Sequence, residues 1–276
     1  MSQPEISVVI RTFNEEKFLP DLLDALNLQS FQDFETIVVD SGSKDATLNI
    51  ARSYGARAVN FEWNGRYPKK RNWLLTSETL ASEWVLFLDA DEFVDDAFCD
   101  AVAAAVENGN YDGYWLNYTN YFLGRRLRHG LPQRKLALFR VGKGLYEKID
   151  EDGWSNLDME IHEHPIVDGR VGEIRVAIDH HDYKGLSRFI ERHCEYGRWE
   201  ARRHAKLHES ELAWDHFTLR QRFKYRHLAK WWYPWFYFGF TYFAKFGLLD
   251  GGAGFNYAFY KAWYYQTVRL LIREST

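Results

Sequence analysis

Short apolar runs separated by helical repeats fill the first hundred residues. β-rich apolar runs predict four strands, at residues 6–10, 36–39, 57–61 and 84–88. Helical spacing between and after them predicts four helices, at residues 16–28, 45–54, 69–77 and 97–106. Pro20 sets the start of the first helix, and Gly55 and Gly109 stop the second and the fourth. Apolar strands that alternate with helices indicate an α/β fold with a mostly parallel sheet covered on both faces.

The pattern changes after residue 110. Strand-like pieces at residues 113–118, 135–140 and 173–177 lie among glycine-rich loops, and helical spacing takes over from residue 186. Residues 183–230 carry 12 Lys/Arg against 6 Asp/Glu, and an aromatic stretch follows over residues 231–271. We therefore expect a first domain over residues 1–182 and a helical extension, basic and then aromatic, over residues 183–276. The glycines of residues 251–254 are expected to form a turn between helices.

Composition and charge exclude several classes of protein. The chain has 276 residues, of which 46% are hydrophobic and 27% charged, as in a folded globular protein. A net charge of −4 gives no overall basic footprint for nucleic acid. Two cysteines, Cys99 and Cys194, cannot form a disulfide framework. Without a signal-peptide pattern, and with no apolar run of the roughly 20 residues that a span needs, the expected location is the cytoplasm.

The aromatic content is high, with 11 Trp, 17 Tyr and 20 Phe. Ten of the fourteen residues over 231–244 are aromatic, and basic residues precede them. Aromatic and basic residues favour the headgroup zone of anionic membranes, so we expect a peripheral enzyme on the cytoplasmic face of the inner membrane. Two alternatives stay open: these helices pack on the catalytic domain, or they form a dimer interface.

Polar side chains follow three of the predicted strands, where open α/β sheets bind their ligands. The first strand runs into residues 11–15, the second into residues 40–43 and the fourth into residues 89–92. Asp89 and Asp91 could hold Mn²⁺ or Mg²⁺ through hard oxygen ligands, or the segment is a polar turn before the next helix. The glycine spacings of dinucleotide folds and P-loops are absent from these segments.

Four segments in order, ISVVIRTFNEEKFL, TIVVDSGSKDAT, KKRN and FLDADE, resemble family 2 glycosyltransferases with the GT-A fold. The resemblance covers about residues 5–180. It implies a Rossmann-like sheet, a nucleotide-sugar donor, most often a UDP-sugar, and inversion at the anomeric carbon. It also implies site roles: base and ribose contacts from Thr12, Phe13 and Glu15, uracil reading by Asp40, diphosphate contacts from Lys70 and Arg71, a ribose-side carboxylate at Asp89 and a metal ligand at Asp91.

The segment DMEIHEHP over residues 158–165 contains the candidate base for the acceptor hydroxyl. Its His-Glu pair resembles a subgroup similar to the lipopolysaccharide core β-1,4-glucosyltransferases, which implies a glycan, lipid-linked or lipopolysaccharide acceptor. We assign Glu163 as the base, with Glu160 second. His180 is a candidate further metal ligand, because imidazole joins carboxylates at Mn²⁺ sites. The alternative is a zinc site formed by the four histidines His162, His164, His180 and His181.

One departure from the subgroup concerns the strand after Pro132. The subgroup shows Arg-Leu-Phe there, and this chain has Ala137 in place of the arginine, with Arg134 or Lys135 as the candidate substitute. Two other classes of function stay open. One is a haloacid-dehalogenase-type phosphohydrolase with Asp89 as nucleophile, and the other is a non-catalytic, membrane-bound scaffold or carbohydrate-binding protein.

Overall fold

The computed structural model describes residues 4–149, 164–180, 185–209 and 217–274. The chain forms two compact units. The first comprises residues 1–119 and 133–182, and the second comprises residues 120–132 and 183–276.

The first unit is built on a mixed sheet. Its strands are β1 (Ile6–Thr12), β2 (Phe34–Asp40), β3 (Arg57–Asn60), β4 (Trp84–Asp89), β5 (Glu92–Phe93), β6 (Gly113–Phe122), β8 (Gln133–Arg140) and β11 (Val171–His180), with β7 (Arg125–Leu127) in the second unit. A separate hairpin pairs β9 (Gly144–Tyr146) with β10 (Pro165–Val167). The strand order is β3-β2-β1-β4-β8-β6-β11-β5. Pairing is parallel from β3 to β4 and between β6 and β11, and β8 and β5 are antiparallel to their neighbours.

Four helices pack against this sheet and share its core. They are α1 (Leu19–Leu28), α2 (Thr47–Ser53), α3 (Lys70–Ser77) and α4 (Asp96–Asn108). Pro20 lies in the first turn of α1, where its fixed φ suits a helix start. Asp95 caps α4 by accepting from the Phe98 N–H, and Gly109 ends it in the left-handed conformation that glycine tolerates. The predicted α/β fold with a mostly parallel sheet is therefore confirmed.

The two-residue strand β5 was not predicted. It consists of Glu92 and Phe93, which pair with His180 and Asp179 of β11. A strand this short carries no alternation that a sequence pattern can show. It forms because the end of β11 offers its backbone groups to the segment that follows β4. This pairing places His180 opposite Glu92.

The second unit is mostly helical. Its helices are α5 (Leu186–Glu209), α6 (Leu219–His227), α7 (Tyr233–Gly239) and α8 (Gly251–Glu274), with a π-helical turn (Phe240–Ala244) and a 3₁₀ turn (Gly247–Asp250) between the last two. Thr218 and Gln221 form a capping box at the start of α6. Apolar residues of α5, α6, α7 and α8 form a second core. Among the described residues no helix combines the length and apolar character needed to cross a membrane.

The expectation of a turn at residues 251–254 was wrong. These residues form the first turn of α8, and the preceding 3₁₀ turn makes the connection. Gly254 is needed for packing: a β-carbon built on it would lie 1.9 Å from the Gly247 carbonyl oxygen. A glycine cluster that permits close backbone approach has the same composition as a turn, so composition alone could not separate the two.

Candidate functional site

Parallel pairing brings the ends of β1, β2 and β4 to one edge of the sheet. Thr12 at the end of β1 is in register with Asp40 of β2, and its neighbour Arg11 is in register with Asp89 of β4. The three polar segments singled out in the sequence therefore meet at this edge, where ligands of open α/β sheets bind.

Asp40 organises the loop after β2. It is fully buried, and its Oδ2 accepts from the N–H groups of Gly42 and Ser43 at 2.8 and 2.7 Å. Its Oδ1 accepts from the Ser43 hydroxyl and, at 2.8 Å, from the Thr12 hydroxyl. Four bonds match the acceptor capacity of a carboxylate. In this structure Asp40 therefore holds its own loop and ties it to Thr12.

The loops after β1 and β2 are tied together. Asn14 has a φ of 56°, and its Oδ1 accepts from the Lys44 N–H at 2.9 Å. Its own N–H donates to the Ser43 hydroxyl at 2.7 Å, and the Glu15 N–H donates to Thr47 Oγ1 at 2.9 Å. Phe13, which lies between Thr12 and Asn14 in the chain, is 53% exposed. The structure thus places Thr12, Phe13 and Glu15 on one braced loop and leaves the Phe13 ring accessible for stacking.

Lys70 and Arg71 lie at the start of α3 and are both buried. Lys70 Nζ donates to the Thr12 carbonyl at 3.3 Å. The Arg71 guanidinium lies 4.9 Å from the centroid of the Tyr146 ring and reaches Asp89 Oδ1 at 4.0 Å. The predicted basic pair is therefore brought to the strand edge, with Lys70 against β1 and Arg71 beside the acid that ends β4.

Asp89 is surrounded by cations. Arg11 donates to its Oδ1, and Lys135 Nζ donates to its Oδ2 at 2.8 Å. Burial by itself would raise the pKa of Asp89, but Arg11, Lys135 and Arg71 together outweigh burial and hold that pKa well below its ordinary value. Asp89 is therefore an ionised carboxylate with a fixed orientation at neutral pH.

Glu92 and Tyr118 complete a buried cluster around Lys135. Lys135 Nζ donates to Glu92 Oε1 at 2.5 Å and lies 4.7 Å from the centroid of the Tyr118 ring. The Tyr118 hydroxyl donates to Glu92 Oε2 at 3.4 Å. Burial raises the pKa of Glu92, and the nearby Asp89 charge adds to this, against the opposing effect of Lys135. Burial lowers the pKa of Lys135, but Asp89 and Glu92 reverse this and raise it well above its ordinary value.

His180 lies opposite Glu92 in the β5–β11 pair and close to Asp91. Its Nε2 is 3.4 Å from Asp91 Oδ1. Burial lowers the pKa of His180, but the bond to Asp91 and the charges of Glu92 and Asp91 outweigh it and raise the pKa. One ligand atom each from Asp89, Glu92 and His180 lies within 4.8 Å of the others.

These donors fit a divalent cation. Carboxylate oxygens and one imidazole suit Mn²⁺, and two carboxylates without the imidazole suit Mg²⁺. Lys135 already contacts both Asp89 and Glu92. Asp91 is not one of the three clustered groups, but its Oδ1 lies 3.4 Å from His180 Nε2, so Asp91 and His180 form a further pair of donors beside them. This is the pair that the sequence predicted, and the structure brings it together.

The predicted base lies elsewhere in the chain. Glu163 and Glu160, together with His162 and His181, fall outside the described residues. Their assigned roles, and the alternative zinc site with His164 and His180, therefore stay predictions.

Comparison with known proteins identifies the family. A family model described as glycosyl transferase family 2 matches residues 7–162, more than half of the chain. The chain belongs to glycosyl transferase family 2. Membership confirms the predicted family and the predicted class of enzyme, a glycosyltransferase.

Two relatives each match part of the chain. Poly(ribitol-phosphate) beta-N-acetylglucosaminyltransferase TarS of Staphylococcus aureus is 33% identical over 115 residues, covering 39% of this chain and 20% of TarS. The lipopolysaccharide core biosynthesis glycosyltransferase LpsC of Rhizobium meliloti is 27% identical over 180 residues, covering 62% of this chain and 61% of LpsC. The matched region thus spans a fifth of TarS and about three fifths of LpsC.

A solved structure supports the GT-A fold. The mannosyltransferase PcManGT from Pyrobaculum calidifontis, in complex with GDP-Man and Mn²⁺, is 16% identical, with a TM-score of 0.55. The alignment covers 100% of this chain and 88% of PcManGT. At this identity the likeness establishes the fold.

Sequence reasoning within this glycosyl transferase family 2 chain missed several residues of the site. Arg11, Glu92 and Tyr118 were given no role, and Lys135 was named only as a candidate replacement for an arginine. Of the two candidates, Lys135 lies in the site, whereas the Arg134 guanidinium stacks 5.1 Å from the centroid of the Trp115 ring. Charged residues inside otherwise apolar strands, such as Arg11 in IRT and Lys135 in RKLAL, were the signal that could have found them.

Proposed function

We propose that the chain transfers a sugar from a nucleoside diphosphate sugar, a UDP-sugar, to a hydroxyl group of a glycan or lipid-linked acceptor, with inversion at the anomeric carbon. The observation that supports this most is the edge of β1, β2 and β4. There, Asp91 and His180 face each other at 3.4 Å beside an Asp89 that is fixed by Arg11 and Lys135. The complex of PcManGT with GDP-Man and Mn²⁺ supports a nucleotide-sugar donor.

The donor's nucleoside occupies the loops after β1 and β2. Phe13, half exposed beside the buried Thr12, offers a ring face on which a base stacks. Asp40 keeps the loop in shape, and Asp89 accepts from the ribose. The assignment to uridine follows the resemblance of these segments to the family.

The diphosphate lies near the cationic side of the cluster. Arg71 is held against Tyr146 and 4.0 Å from Asp89, so its guanidinium is oriented before a ligand arrives. Asp91 and His180 would hold Mn²⁺ or Mg²⁺, which when bound would supply Lewis-acid stabilisation of the charge that develops on the leaving diphosphate. Lys70, bonded to the Thr12 carbonyl, fixes α3 against β1.

The acceptor hydroxyl loses its proton to a carboxylate. Inversion requires this base on the face of the sugar opposite the leaving group, so that attack and departure are in line. Glu163 is the assigned base and Glu160 the second choice. Replacing each by glutamine in turn separates them, because the base variant loses turnover while keeping donor affinity.

The acceptor is carried by a lipid or is of the lipopolysaccharide type. LpsC, named for lipopolysaccharide core biosynthesis, supports this choice. A peripheral position on the cytoplasmic face of the inner membrane follows, because the donor nucleotide is cytoplasmic and the acceptor is anchored.

The contacts of Asp89 speak against the phosphohydrolase alternative. A nucleophilic carboxylate needs an oxygen that can reach phosphorus, whereas Asp89 is bound by Arg11 at one oxygen and by Lys135 at the other. Family membership also favours transfer over hydrolysis of phosphate esters.

Isothermal titration calorimetry tests the proposal. UDP, GDP, dTDP and CDP are each titrated with and without Mn²⁺ into the unsubstituted protein, Asp91→Ala and the control Asp96→Ala, which removes an exposed acid in the first turn of α4. We expect Mn²⁺-dependent binding of UDP that Asp91→Ala loses and Asp96→Ala keeps. If no nucleotide binds, or if Asp91→Ala binds UDP as the unsubstituted protein does, the proposed donor site is wrong.

A further inference from the structure

The second unit exposes a large set of apolar side chains around α7 and the start of α8. We call this set the aromatic platform; its members are Trp231, Trp235, Phe236, Phe240, Phe243, Phe246, Leu248, Leu249, Phe255 and Phe259. Their exposures run from 37% for Phe240 to 69% for Trp231. Single exposed apolar residues are ordinary on a protein surface, but a set of this size marks an interaction surface.

Ring contacts connect several members of the platform. Phe236 stacks on Phe240 with centroids 6.0 Å apart, and Phe255 stacks on Phe259 at 6.4 Å. Tyr242 connects Phe243 to the Phe255–Phe259 row, because its ring lies 5.0 Å from Phe243 and 5.7 Å from Phe255. Exposed rings of the segment after α7 and of the start of α8 are therefore in contact with each other through Tyr242.

Backbone strain is concentrated in the same place. Phe246 has a φ of 58°, a left-handed conformation that costs a bulky residue about 1 kcal/mol or more, and its side chain is 60% exposed. The π-helical turn over Phe240–Ala244 is another irregular element of the platform. Strain that persists without burial of the strained side chain is typical of a functional surface.

The charge of this region is strongly positive. Residues 216–273 contain nine of the chain's 35 Lys/Arg and one of its 39 Asp/Glu. That acid, Asp250, accepts from the N–H groups of Arg128 and His129 at 3.1 and 2.9 Å, so it is engaged in a structural contact. Lys245 lies 5.6 Å from the Phe240 ring centroid and places a cation directly at the platform. A basic region in a chain of net charge −4 fits an anionic partner.

We propose that the aromatic platform lies in the headgroup region of an anionic lipid bilayer, with its rings in the interface and its lysines on the lipid phosphates. Aromatic rings and basic side chains are both favoured in the headgroup region, which lies between the hydrocarbon core of the bilayer and water. Protein interfaces are also rich in aromatic residues, but lysine is depleted there, so Lys245 beside these rings favours lipid phosphates over a protein partner. The inference rests on the proposed function in one respect, because a lipid-carried acceptor explains why this enzyme needs a membrane surface.

Vesicle flotation with the full chain tests the platform. Vesicles of phosphatidylcholine alone are compared with vesicles of equal parts phosphatidylcholine and phosphatidylglycerol, at low and high salt. The variants are Trp235→Ser with Phe243→Ser, and Lys230→Glu with Lys245→Glu. The control is Leu28→Ser, which removes an 82% exposed leucine from the first unit.

We expect flotation with the anionic vesicles that high salt weakens. The aromatic pair and the lysine pair should each lower the partition coefficient about tenfold or more, while Leu28→Ser changes nothing. Equal flotation of all variants, or no flotation of the unsubstituted protein, overturns the inference. A second result would also overturn it: the unsubstituted protein sediments as a dimer and does not bind vesicles, and Trp235→Ser with Phe243→Ser dissociates the dimer. The platform would then contact a second copy of the chain.

Calorimetry with UDP on the same samples keeps the two proposals apart. The platform variants should bind UDP as the unsubstituted protein does, because the donor residues lie in the first unit. UDP binding without flotation would contradict the platform alone, and flotation without nucleotide binding would contradict the donor site alone.

Discussion

The ammonium of Lys135 lies 2.5 Å from Oε1 of Glu92, and the Glu92 side chain is 1% exposed. The same nitrogen donates to Asp89 at 2.8 Å. Two carboxylates so close together would repel each other, and one of them would take up a proton. Lys135 is therefore the group that keeps this edge of the site ionised and fixed.

Removing the ammonium should destabilise the first unit. Lys135→Met leaves Asp89 with Arg11 and Arg71 but leaves the buried Glu92 without its cation. Breaking a buried pair by removing one partner typically costs about 3–5 kcal/mol. We expect a loss of this size in the free energy of unfolding at pH 7, measured by urea denaturation.

Lys143→Met is the matched control. Lys143 pairs with Asp168 at 3.7 Å, but both side chains are exposed, so its loss should cost less than about 1 kcal/mol. Adding Glu92→Gln to Lys135→Met should recover part of the stability, since the glutamine amide is neutral. Equal losses in the two lysine variants would show that the Lys135–Glu92 contact is not a stabilising pair.

The loop after β2 should depend on the charge of Asp40. Asp40→Asn replaces one acceptor oxygen by an amide that donates, and this amide faces N–H and O–H groups that also donate. We expect a loss of about 1–3 kcal/mol in the free energy of unfolding and weaker UDP binding. Thermal unfolding and calorimetry measure the two effects.

Asp21→Asn, at an exposed position in α1, controls for the general effect of losing an acid. It should leave UDP binding unchanged and cost no more than about 0.3–1 kcal/mol, the effect of losing an acid at a helix N-terminus. If Asp40→Asn were stable and lost only UDP binding, Asp40 would contact the base directly, as the family resemblance implied, and its loop contacts would be secondary.

The alternation of apolar runs and helical repeats was sufficient to predict β1 to β4 and α1 to α4, because parallel strands buried on both faces leave a continuous signal. Ligands of open α/β sheets bind where the parallel strands end, and this was sufficient to predict that Thr12, Asp40 and Asp89 lie at one edge of the sheet. Neither argument could predict the β5–β11 pair, which places His180 beside the Asp91 segment across about 90 residues of chain. A contact between distant segments has no local pattern, and His180 was named only because imidazole joins carboxylates at Mn²⁺ sites.

The same limit applies to Lys135. A charged residue within RKLAL could mark Lys135 as unusual, but a lysine in a strand normally faces solvent, so the sequence could not identify the two acids that it contacts. The glycines before α8 show the reverse case. Their local composition suggested a turn, and close packing of Gly254 on the Gly247 carbonyl overrode it.

Gly254 should tolerate no side chain. Gly254→Ala would place a β-carbon 1.9 Å from the Gly247 oxygen, so the 3₁₀ turn or the start of α8 must move. We expect a loss of about 2 kcal/mol or more in the free energy of unfolding, measured by urea denaturation followed by circular dichroism.

Gly252→Ala, two residues earlier in the chain, is the control for Gly254→Ala. A β-carbon there meets nothing within 4 Å, so alanine should stabilise the helix start by about 0.4–1 kcal/mol through the unfolded state. Destabilisation by both substitutions to the same extent would mean that flexibility of the segment, and not the contact with Gly247, requires these glycines.

The stability of the second unit should depend on pH through His204. Burial, with His208 stacked at a centroid distance of 4.1 Å, lowers the pKa of His204 from 6.5 to about 4. The unfolded chain therefore binds a proton on this histidine at a higher pH than the folded chain does. Its contribution to stability is fully present above about pH 6.5 and is lost as the pH falls towards 4.

His204→Gln removes this titration while keeping a side chain of similar size. The free energy of unfolding of the unsubstituted protein should fall between pH 6.5 and 4, and the variant should fall less steeply over the same range. Urea denaturation at half-unit pH steps measures the slopes, with His164→Gln, at an exposed position, as the control. Parallel slopes for the unsubstituted protein and His204→Gln would mean that His204 is protonated equally in both states, and its burial in α5 would then have no effect on the pH dependence.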